Sequence, residues 1–210
     1  MHAGHAARFL HLLDGHAPAE DVARVLDVAL ILHADHELNA STFAARVAVA
    51  TFADMHAALT AAVATLKGPR HGGANEDVLE MLLAIGDPSR AEAFVEDWLR
   101  KRDAMSKAER VDPKSRMPGF GHRVYKADDA RAARTTFPVN VDFFSAVVYD
   151  ALEVPPDFCT SIFAVGRVAG WVAHVLEQFA DSRLIRPRAE WIGAAPRALS
   201  TVGGALSAGR

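Results

Sequence analysis

Three short stretches of this 210-residue chain contain side chains that can donate or accept protons in a reaction. In "GPRHGGANEDVLEML", His71 stands just before the start of a predicted helix. The free N–H groups and the positive dipole end of a helix N-terminus disfavour an imidazolium, so a neutral His71 can donate a hydrogen bond to a substrate carbonyl. A histidine that only caps the turn fits the same motif, and this alternative stays open.

A second stretch, "PGFGHRVYKADDAR", places His122 on a glycine-rich loop with several cations nearby. Pro118, Gly119 and Gly121 favour an irregular backbone that a ligand can approach closely. Arg131 can bind a carboxylate or a phosphate through two parallel hydrogen bonds. The loop matches neither the Walker motif nor the dinucleotide fingerprint, so it predicts an anion site without naming the ligand.

The third point is Asp142 in "FPVNVDFFSAVVYDAL", at a predicted helix start. A carboxylate between Val141 and Phe143 is poorly solvated, which suits a general base, although an N-cap aspartate fits equally well. Further along, Arg167 lies within the apolar helix "SIFAVGRVAGWVAHVLEQ". A buried guanidinium is costly unless it meets an anion, so Arg167 is a candidate for binding an acidic substrate.

The stretch "LHADHELNAST" concentrates His33, Asp35, His36 and Glu37 directly after an apolar run. Two histidines three residues apart are geometrically able to bind a metal ion on a helix. The alternatives are an anion-binding site and a solvated helix end. In "RLIRPRAEW", Arg186 precedes a proline, which holds the cation on a rigid segment.

Helical spacing of apolar residues runs through nearly the whole chain and predicts an all-α fold. The predicted helices cover residues 6–14, 19–33, 41–66, 74–85, 89–108, 142–152 and 157–180. Ser41 is the predicted N-cap of the third helix. Residues 109–141 lack sustained periodicity, so we predict that they form the loop region that carries function. Residues 196–210 are predicted to form a flexible tail.

Composition narrows the class of protein. Half of the residues are hydrophobic, 23% are charged, and the formal net charge is −3, which disfavours a nucleic-acid partner. Cys159 is the only cysteine, so no intramolecular disulfide forms, and it is expected in the core. The longest apolar-looking stretch, 47–66, contains Asp54 and His56, so we predict no membrane span. We also expect no secretory leader and a cytoplasmic location.

Six segments, taken together and in this order, resemble the citrate synthase family in its bacterial form. They are "LILHADHELNASTFAARV", "LKGPRHGGANEDVLEML", "PGFGHRVYK", "NVDFFSAVVYDAL", "FAVGRVAGWVAHVLEQ" and "RLIRPRAEW". The resemblance extends from about residue 6 to 193. It implies a multi-helical citrate synthase-like fold, with large-domain helices in 1–70, a reduced small domain with the catalytic loops in 71–142, and returning helices in 143–195.

The resemblance also implies an acyltransferase reaction. Acetyl-CoA, a co-substrate, condenses with oxaloacetate, and hydrolysis of citryl-CoA then releases citrate and CoA, with no metal and no permanently bound cofactor. Asp142 matches the base that removes a methyl proton from acetyl-CoA. His71 matches the residue that hydrogen-bonds the thioester oxygen, and His122 the residue that polarises and protonates the oxaloacetate carbonyl.

Substrate contacts follow from the same resemblance. His36, Arg131 and Arg167 match oxaloacetate-binding residues. Arg186 matches an arginine that is lent to the neighbouring subunit's site, which implies a homodimer. The residues at positions where the family contacts CoA are Met117, Gly119, Gly121 and Asn140.

The sequence departs from the family's pattern in length. Family members are about twice as long, and the resemblance begins well inside the usual chain. Only "AARTTFPVN" separates Arg131 from Asp142, where the family has a much longer small-domain segment, and "PVNVD" carries one residue more than the usual PNVD. Two alternatives to citrate synthesis therefore stay open: a 2-methylcitrate synthase that uses propionyl-CoA, and a truncated non-catalytic paralogue that binds a dicarboxylate or dimerises.

Overall fold

The computed structural model describes residues 4–68, 71–111, 115–120, 139–190 and 192–193. These residues form eight α-helices joined by turns. The helices are α1 (His5–Asp14), α2 (Glu20–His33), α3 (Ala40–Val49), α4 (Met55–Leu66), α5 (Ala74–Ile85), α6 (Ala91–Ala104), α7 (Val141–Ala151) and α8 (Cys159–Ala180). In these ranges extended segments pair only at one antiparallel bridge, between Phe120 and Val139. The all-α prediction is confirmed.

Helix α8 is the centre of the fold, because it packs against α2, α3 and α4. Its residue Ile162 belongs to an apolar cluster shared with α1, α2, α5 and α7. Its residues Phe163, Trp171 and Val175 belong to a second cluster with α3 and α4. One helix therefore joins both parts of the core and fixes the relative positions of the elements around it.

The segment Pro156–Ala180, with a mean hydropathy of 1.4, is long and apolar enough to cross a membrane by length and composition alone. It replaces 47–66 as the longest apolar stretch, so that part of the sequence analysis was wrong. Arg167 and Gln178 are buried within the segment, and helices α2, α3, α4 and α5 contact it. Its apolar character is explained by its place in the core.

The predicted single helix at 41–66 is wrong, because two helices, α3 and α4, occupy this range. Between them Phe52 adopts a left-handed backbone conformation with φ 63°. The Asp54 Oδ1 atom then accepts a hydrogen bond of 2.8 Å from the Ala57 N–H and caps α4. Small residues pack between the two helices, since Ala45, Ala58 and Ala62 are fully buried there.

Two helix starts also differ from prediction. The N-cap of α3 is Asn39, not Ser41, because the Asn39 Oδ1 atom accepts a hydrogen bond of 3.1 Å from the Thr42 N–H. The N-cap of α7 is Asn140, whose Oδ1 atom accepts from the Asp142 N–H at 3.0 Å. Asp142 is therefore the second residue of α7 rather than its cap, and its carboxylate is not used for that purpose.

For the remaining helices, most of the observed first and last residues agree with the prediction. Helix α5 has the predicted bounds, 74–85. The predicted helix 89–108 is shorter, because a 3-10 turn at Pro88–Arg90 precedes α6 and Met105 returns to extended backbone. The predicted tail at 196–210 lies outside the described residues. The division into domains stays a prediction.

Candidate active site

His71 lies three residues before α5, as predicted, and its ring is held by the chain just after the α2–α3 turn. The backbone N–H of Ser41 donates to His71 Nε2 at 3.2 Å, and Ser41 Oγ lies 2.7 Å from the same nitrogen. A backbone N–H can only donate, so Nε2 is the acceptor. In the neutral imidazole the proton must therefore sit on Nδ1, which leaves Nδ1–H as the ring's donor.

The pKa of His71 is lowered from its ordinary value of 6.5 to about 4. Burial is the largest cause, and the positive charges of Arg167 and His36 follow. His71 is thus neutral near pH 7. Arg167 and His36, which are far from His71 in the sequence, therefore lie within electrostatic range of its ring.

This shift predicts a pH-dependent loss of stability. Between pH 6.5 and pH 4 the unfolded state binds a proton at His71 and the folded state does not. As the pH falls through this window, the free energy of unfolding is expected to decrease. The contribution of His71 is on the order of 1 to 2 kcal/mol, once the partial exposure of the ring is allowed for. Urea denaturation of the wild type and of His71→Gln at pH 7 and pH 4.5 measures this contribution.

The matched control is His56→Gln, at an exposed position of α4. His56→Gln should keep the pH dependence of the wild type, whereas His71→Gln should reduce it. Equal pH dependence in all three proteins would contradict the assignment of a neutral, half-buried His71.

Ser41 contacts and orients His71, whereas the sequence predicted it as a helix cap. The Ser41 side chain is fully buried, its Oγ lies 2.7 Å from Asn39 Oδ1, and the Trp171 Nε1–H donates to its Oγ at 3.2 Å. Helices α3 and α8 thus fix the group that orients His71. No sequence signal identifies this contact, since Ser41 lies 30 residues before His71.

Arg167 is almost completely buried, with 1% relative exposure, in the middle of α8. Its Nε–H donates to the carbonyl oxygen of His33 at the end of α2, and its guanidinium lies 4.7 Å from the centre of the Phe163 ring. These contacts fix the orientation of the guanidinium next to His71. A fixed, buried cation is suited to an anionic substrate.

Asp142 is partly buried in the first turn of α7, between the apolar residues Val141 and Phe143. The pKa of the Tyr149 hydroxyl is raised well above its usual range, first by burial and then by the negative charges of Cys159 and Asp142. Burial likewise raises the pKa of the Cys159 thiol to about 11, so the predicted core cysteine is protonated near neutral pH. Asp142 therefore lies within electrostatic range of Tyr149 and keeps access to the surface.

A buried hydrogen bond connects the helix that follows His71 to the helix that begins with Asp142. The Ser145 Oγ–H donates to Asn75 Oδ1 at 2.6 Å, and both side chains are buried. Ser145 lies one turn after Asp142, on the same face of α7. This pair, which sequence reasoning missed, holds the first turns of α5 and α7 together.

Replacing Ser145 with alanine is expected to lower the free energy of unfolding by about 1 to 3 kcal/mol, because the buried Asn75 oxygen loses its donor. Chemical denaturation measures the change. The control is Thr60→Ala on α4, where an exposed hydroxyl donates only to the His56 carbonyl of its own helix. An effect of Ser145→Ala no larger than that of the control would show that the bridge contributes nothing.

Three of the four predicted CoA-contact residues lie close together. The Asn140 N–H donates to the Gly119 carbonyl at 2.9 Å. Gly119 has φ 78°, and a Cβ there would lie 2.9 Å from the Val78 side chain, so only glycine fits. Met117 lines a neighbouring apolar cavity of about 350 Å³. Gly121 lies outside the described residues.

The other predicted residues fall outside this group. His122 and Arg131 lie outside the described residues, so their positions stay predictions. Arg186 is exposed in the segment that follows α8. Across the described ranges, no three His, Cys, Asp or Glu side chains are arranged to hold a metal ion.

The family model for the C-terminal domain of citrate synthase matches this chain over residues 1–137 and 133–188. The chain belongs to the citrate synthase family. Its resemblance to citrate synthases is thereby confirmed.

Relatives within the family agree with this result. The chain is 43% identical to citrate synthase 2 of Bacillus subtilis (strain 168), with 90% of this chain and 56% of that protein covered. It is 39% identical to a 2-methylcitrate synthase of Shewanella oneidensis, over 91% of this chain and 56% of the relative. The chain thus spans little more than half the length of these relatives.

Solved citrate synthases share its fold. The structure of the enzyme from Thermoplasma acidophilum, in a ternary complex with carboxymethyl coenzyme A and oxaloacetate, superposes with a TM-score of 0.80 at 32% identity. The superposition covers 96% of this chain and 60% of that one. A citrate synthase from Thermotoga maritima MSB8 gives a TM-score of 0.77 at 34% identity, over 93% of this chain and 59% of that one.

The comparisons also bear on the internal shortening relative to citrate synthases. The alignment with the Bacillus protein extends over 221 residues, more than the 210 of this chain. It therefore contains positions with no counterpart here. The two matched pieces of the family model meet at residues 133–137, in the interval between Arg131 and Asp142. This agrees with the shortening predicted there from the sequence.

Proposed function

We propose that this chain catalyses the citrate synthase reaction: condensation of acetyl-CoA with oxaloacetate, followed by hydrolysis of the citryl thioester to citrate and CoA. The observation that carries the proposal is His71. Its Nε2 accepts the Ser41 N–H, its pKa is lowered to about 4, and Arg167 and His36 lie near it. A neutral donor beside fixed cations is what an enolising thioester and a dicarboxylate require.

In the proposed mechanism Asp142 removes a proton from the methyl group of acetyl-CoA. The Nδ1–H of His71 hydrogen-bonds the thioester oxygen and stabilises the enol as it forms. The enol carbon then bonds to the carbonyl carbon of oxaloacetate, whose oxygen takes a proton from His122. Water cleaves the thioester, so that the acyl carbon becomes a carboxylate and the sulfur leaves as CoA thiol. No permanently bound cofactor or metal is needed.

Oxaloacetate is proposed to bind through its two carboxylates. Arg167 supplies a buried guanidinium with fixed orientation, and His36 lies close enough to act electrostatically on His71. Arg131 and Arg186 are proposed to complete the site. A second candidate is 2-methylcitrate synthesis from propionyl-CoA, because relatives named 2-methylcitrate synthase are 37–39% identical to the chain.

A homodimer is part of the proposal, with Arg186 contributed across the interface. Its support is an exposed apolar stripe on α8, formed by Val168, Leu176 and Phe179 at helical spacing. Exposed apolar stripes of this kind are typical of association surfaces. Light scattering after size-exclusion chromatography should give twice the mass of one chain, and a monomer would remove the basis for a shared site. A cytoplasmic location is proposed from composition alone.

Release of CoA thiol by the purified protein tests the proposal. Acetyl-CoA with oxaloacetate should give release, and acetyl-CoA alone should give little, because the enol needs its electrophile. Faster release from propionyl-CoA would favour 2-methylcitrate synthesis. If neither acyl-CoA is cleaved while oxaloacetate still raises the melting temperature, the chain is a non-catalytic paralogue that binds a dicarboxylate.

A further inference from the structure

The turn that carries His36 is short, irregular and held by its own side chains. It joins α2 to α3, and Glu37 adopts a left-handed conformation with φ 51°. The Glu37 N–H donates to Asp35 Oδ2 at 3.3 Å, and Asn39 Nδ2 donates to the His36 carbonyl at 3.3 Å. These contacts determine the shape of the turn. None of them fixes the position of the turn relative to Arg167 on α8.

The position of the turn relative to α8 is fixed by direct contact with the α8 backbone. A Cβ at Gly170 would lie 2.1 Å from the Ala34 carbonyl oxygen, and one at Gly166 would lie 3.0 Å from the Leu30 carbonyl oxygen. Between the two glycines, the Arg167 Nε–H donates to the His33 carbonyl. The end of α2 and the start of the turn therefore lie directly on α8, at a distance that no larger residue at 170 permits.

One turn after Gly170, His174 contacts the same turn through its ring. Arg46 NH1 lies 3.3 Å from His174 Nδ1, and a guanidinium can only donate, so Nδ1 is the acceptor. The other ring nitrogen, Nε2–H, then donates to Asp35 Oδ1 at 3.1 Å. Arg46 is itself paired with Glu177, which fixes the guanidinium and, through it, the tautomer of His174.

The order of these contacts is regular. Arg167, Gly170 and His174 occupy one face of α8 and contact residues 33, 34 and 35 in succession. His36 is the next residue, and Arg167 on the same helix is the buried cation of the site. One rigid helix thus sets the position of both groups.

We propose that Asp35 and His174 are positioning residues, which hold His36 in place for a dicarboxylate substrate through the Nε2–H to Oδ1 hydrogen bond. This inference rests on the proposed function for the identity of the substrate. It adds a role that the family resemblance does not assign to either residue. The hydrogen bond lies at the surface, since the Asp35 side chain is 53% exposed, so its contribution to overall stability is small.

The test compares His174→Ala with His174→Gln, using the binding of oxaloacetate measured by calorimetry. His174→Ala should raise the Kd about tenfold, because His36 is no longer held in register. His174→Gln keeps an N–H donor at the position of Nε2 and should recover most of the affinity. The control is His56→Ala, which removes an exposed histidine on α4 and should leave the Kd unchanged.

A second measurement does not depend on oxaloacetate. The ring signal of His36 in a proton–carbon NMR spectrum, assigned with His36→Gln, should move in His174→Ala and return towards its wild-type position in His174→Gln. An unmoved signal, or an unchanged Kd in His174→Ala, would overturn the positioning role. Failure of the wild type to bind oxaloacetate, with the His36 signal still sensitive to His174, would instead overturn the proposed substrate.

Discussion

Asp142→Asn is expected to lower the rate of CoA release by roughly 10³-fold while the protein stays folded. The amide has nearly the shape of the carboxylate but cannot accept the methyl proton of acetyl-CoA. The N-terminus of α7 should be preserved, because Asn140 rather than Asp142 caps the helix. Initial rates of thiol release at saturating substrate, with circular dichroism as the check on folding, measure the effect.

Asp150→Asn is the matched control, since Asp150 is an exposed aspartate on the same helix. It should retain wild-type activity. Substantial activity in Asp142→Asn would show that another group is the base. A loss of helical signal in Asp142→Asn would show instead that the carboxylate acts on structure.

Arg167→Met should have the largest effect on substrate binding. Methionine fills much of the buried space but offers neither a charge nor hydrogen bonds to a carboxylate. The Kd for oxaloacetate is expected to rise at least about 30-fold, which corresponds to about 2 kcal/mol or more. The free energy of unfolding should fall by no more than about 1 to 2 kcal/mol, because methionine keeps most of the buried packing while the His33 carbonyl loses one donor.

The contrasting variant is Arg183→Met, which removes an arginine whose side chain is 87% exposed just beyond α8. It should change neither the Kd nor the stability. Calorimetric titration and urea denaturation of both variants separate a role in substrate binding from a role in structural stability. A large loss of stability in Arg167→Met, with the Kd unchanged, would assign Arg167 to the core alone.

The sequence predicted helices well where turn residues mark their ends. Gly73 and Gly86 flank α5, and its bounds agree with prediction. The prediction failed at the junction of α3 and α4, because the alanine-rich sequence keeps helical spacing through the break between the two helices. The residues that end one helix and start the next there, Phe52 and Asp54, act through local backbone conformation and capping, which apolar periodicity does not register.

The site was predictable in its residue types and not in its supporting contacts. His71 and Arg167 were identified from their places at a helix start and in an apolar helix, and the structure brings them together with His36. Ser41 and Trp171 were missed, because their hydrogen bond joins residues 130 positions apart. Only tertiary packing creates such pairs, and a single sequence contains no pattern that marks them.

Formation of a carbon–carbon bond by this chain is tested most directly by identifying the product. Oxaloacetate and acetyl-CoA labelled with ¹³C in both acetyl carbons should give doubly labelled citrate, detected by mass spectrometry, in step with CoA release. Labelled free acetate in place of citrate would show simple thioester hydrolysis and would contradict the account. Absence of both products from a folded dimer would contradict it equally.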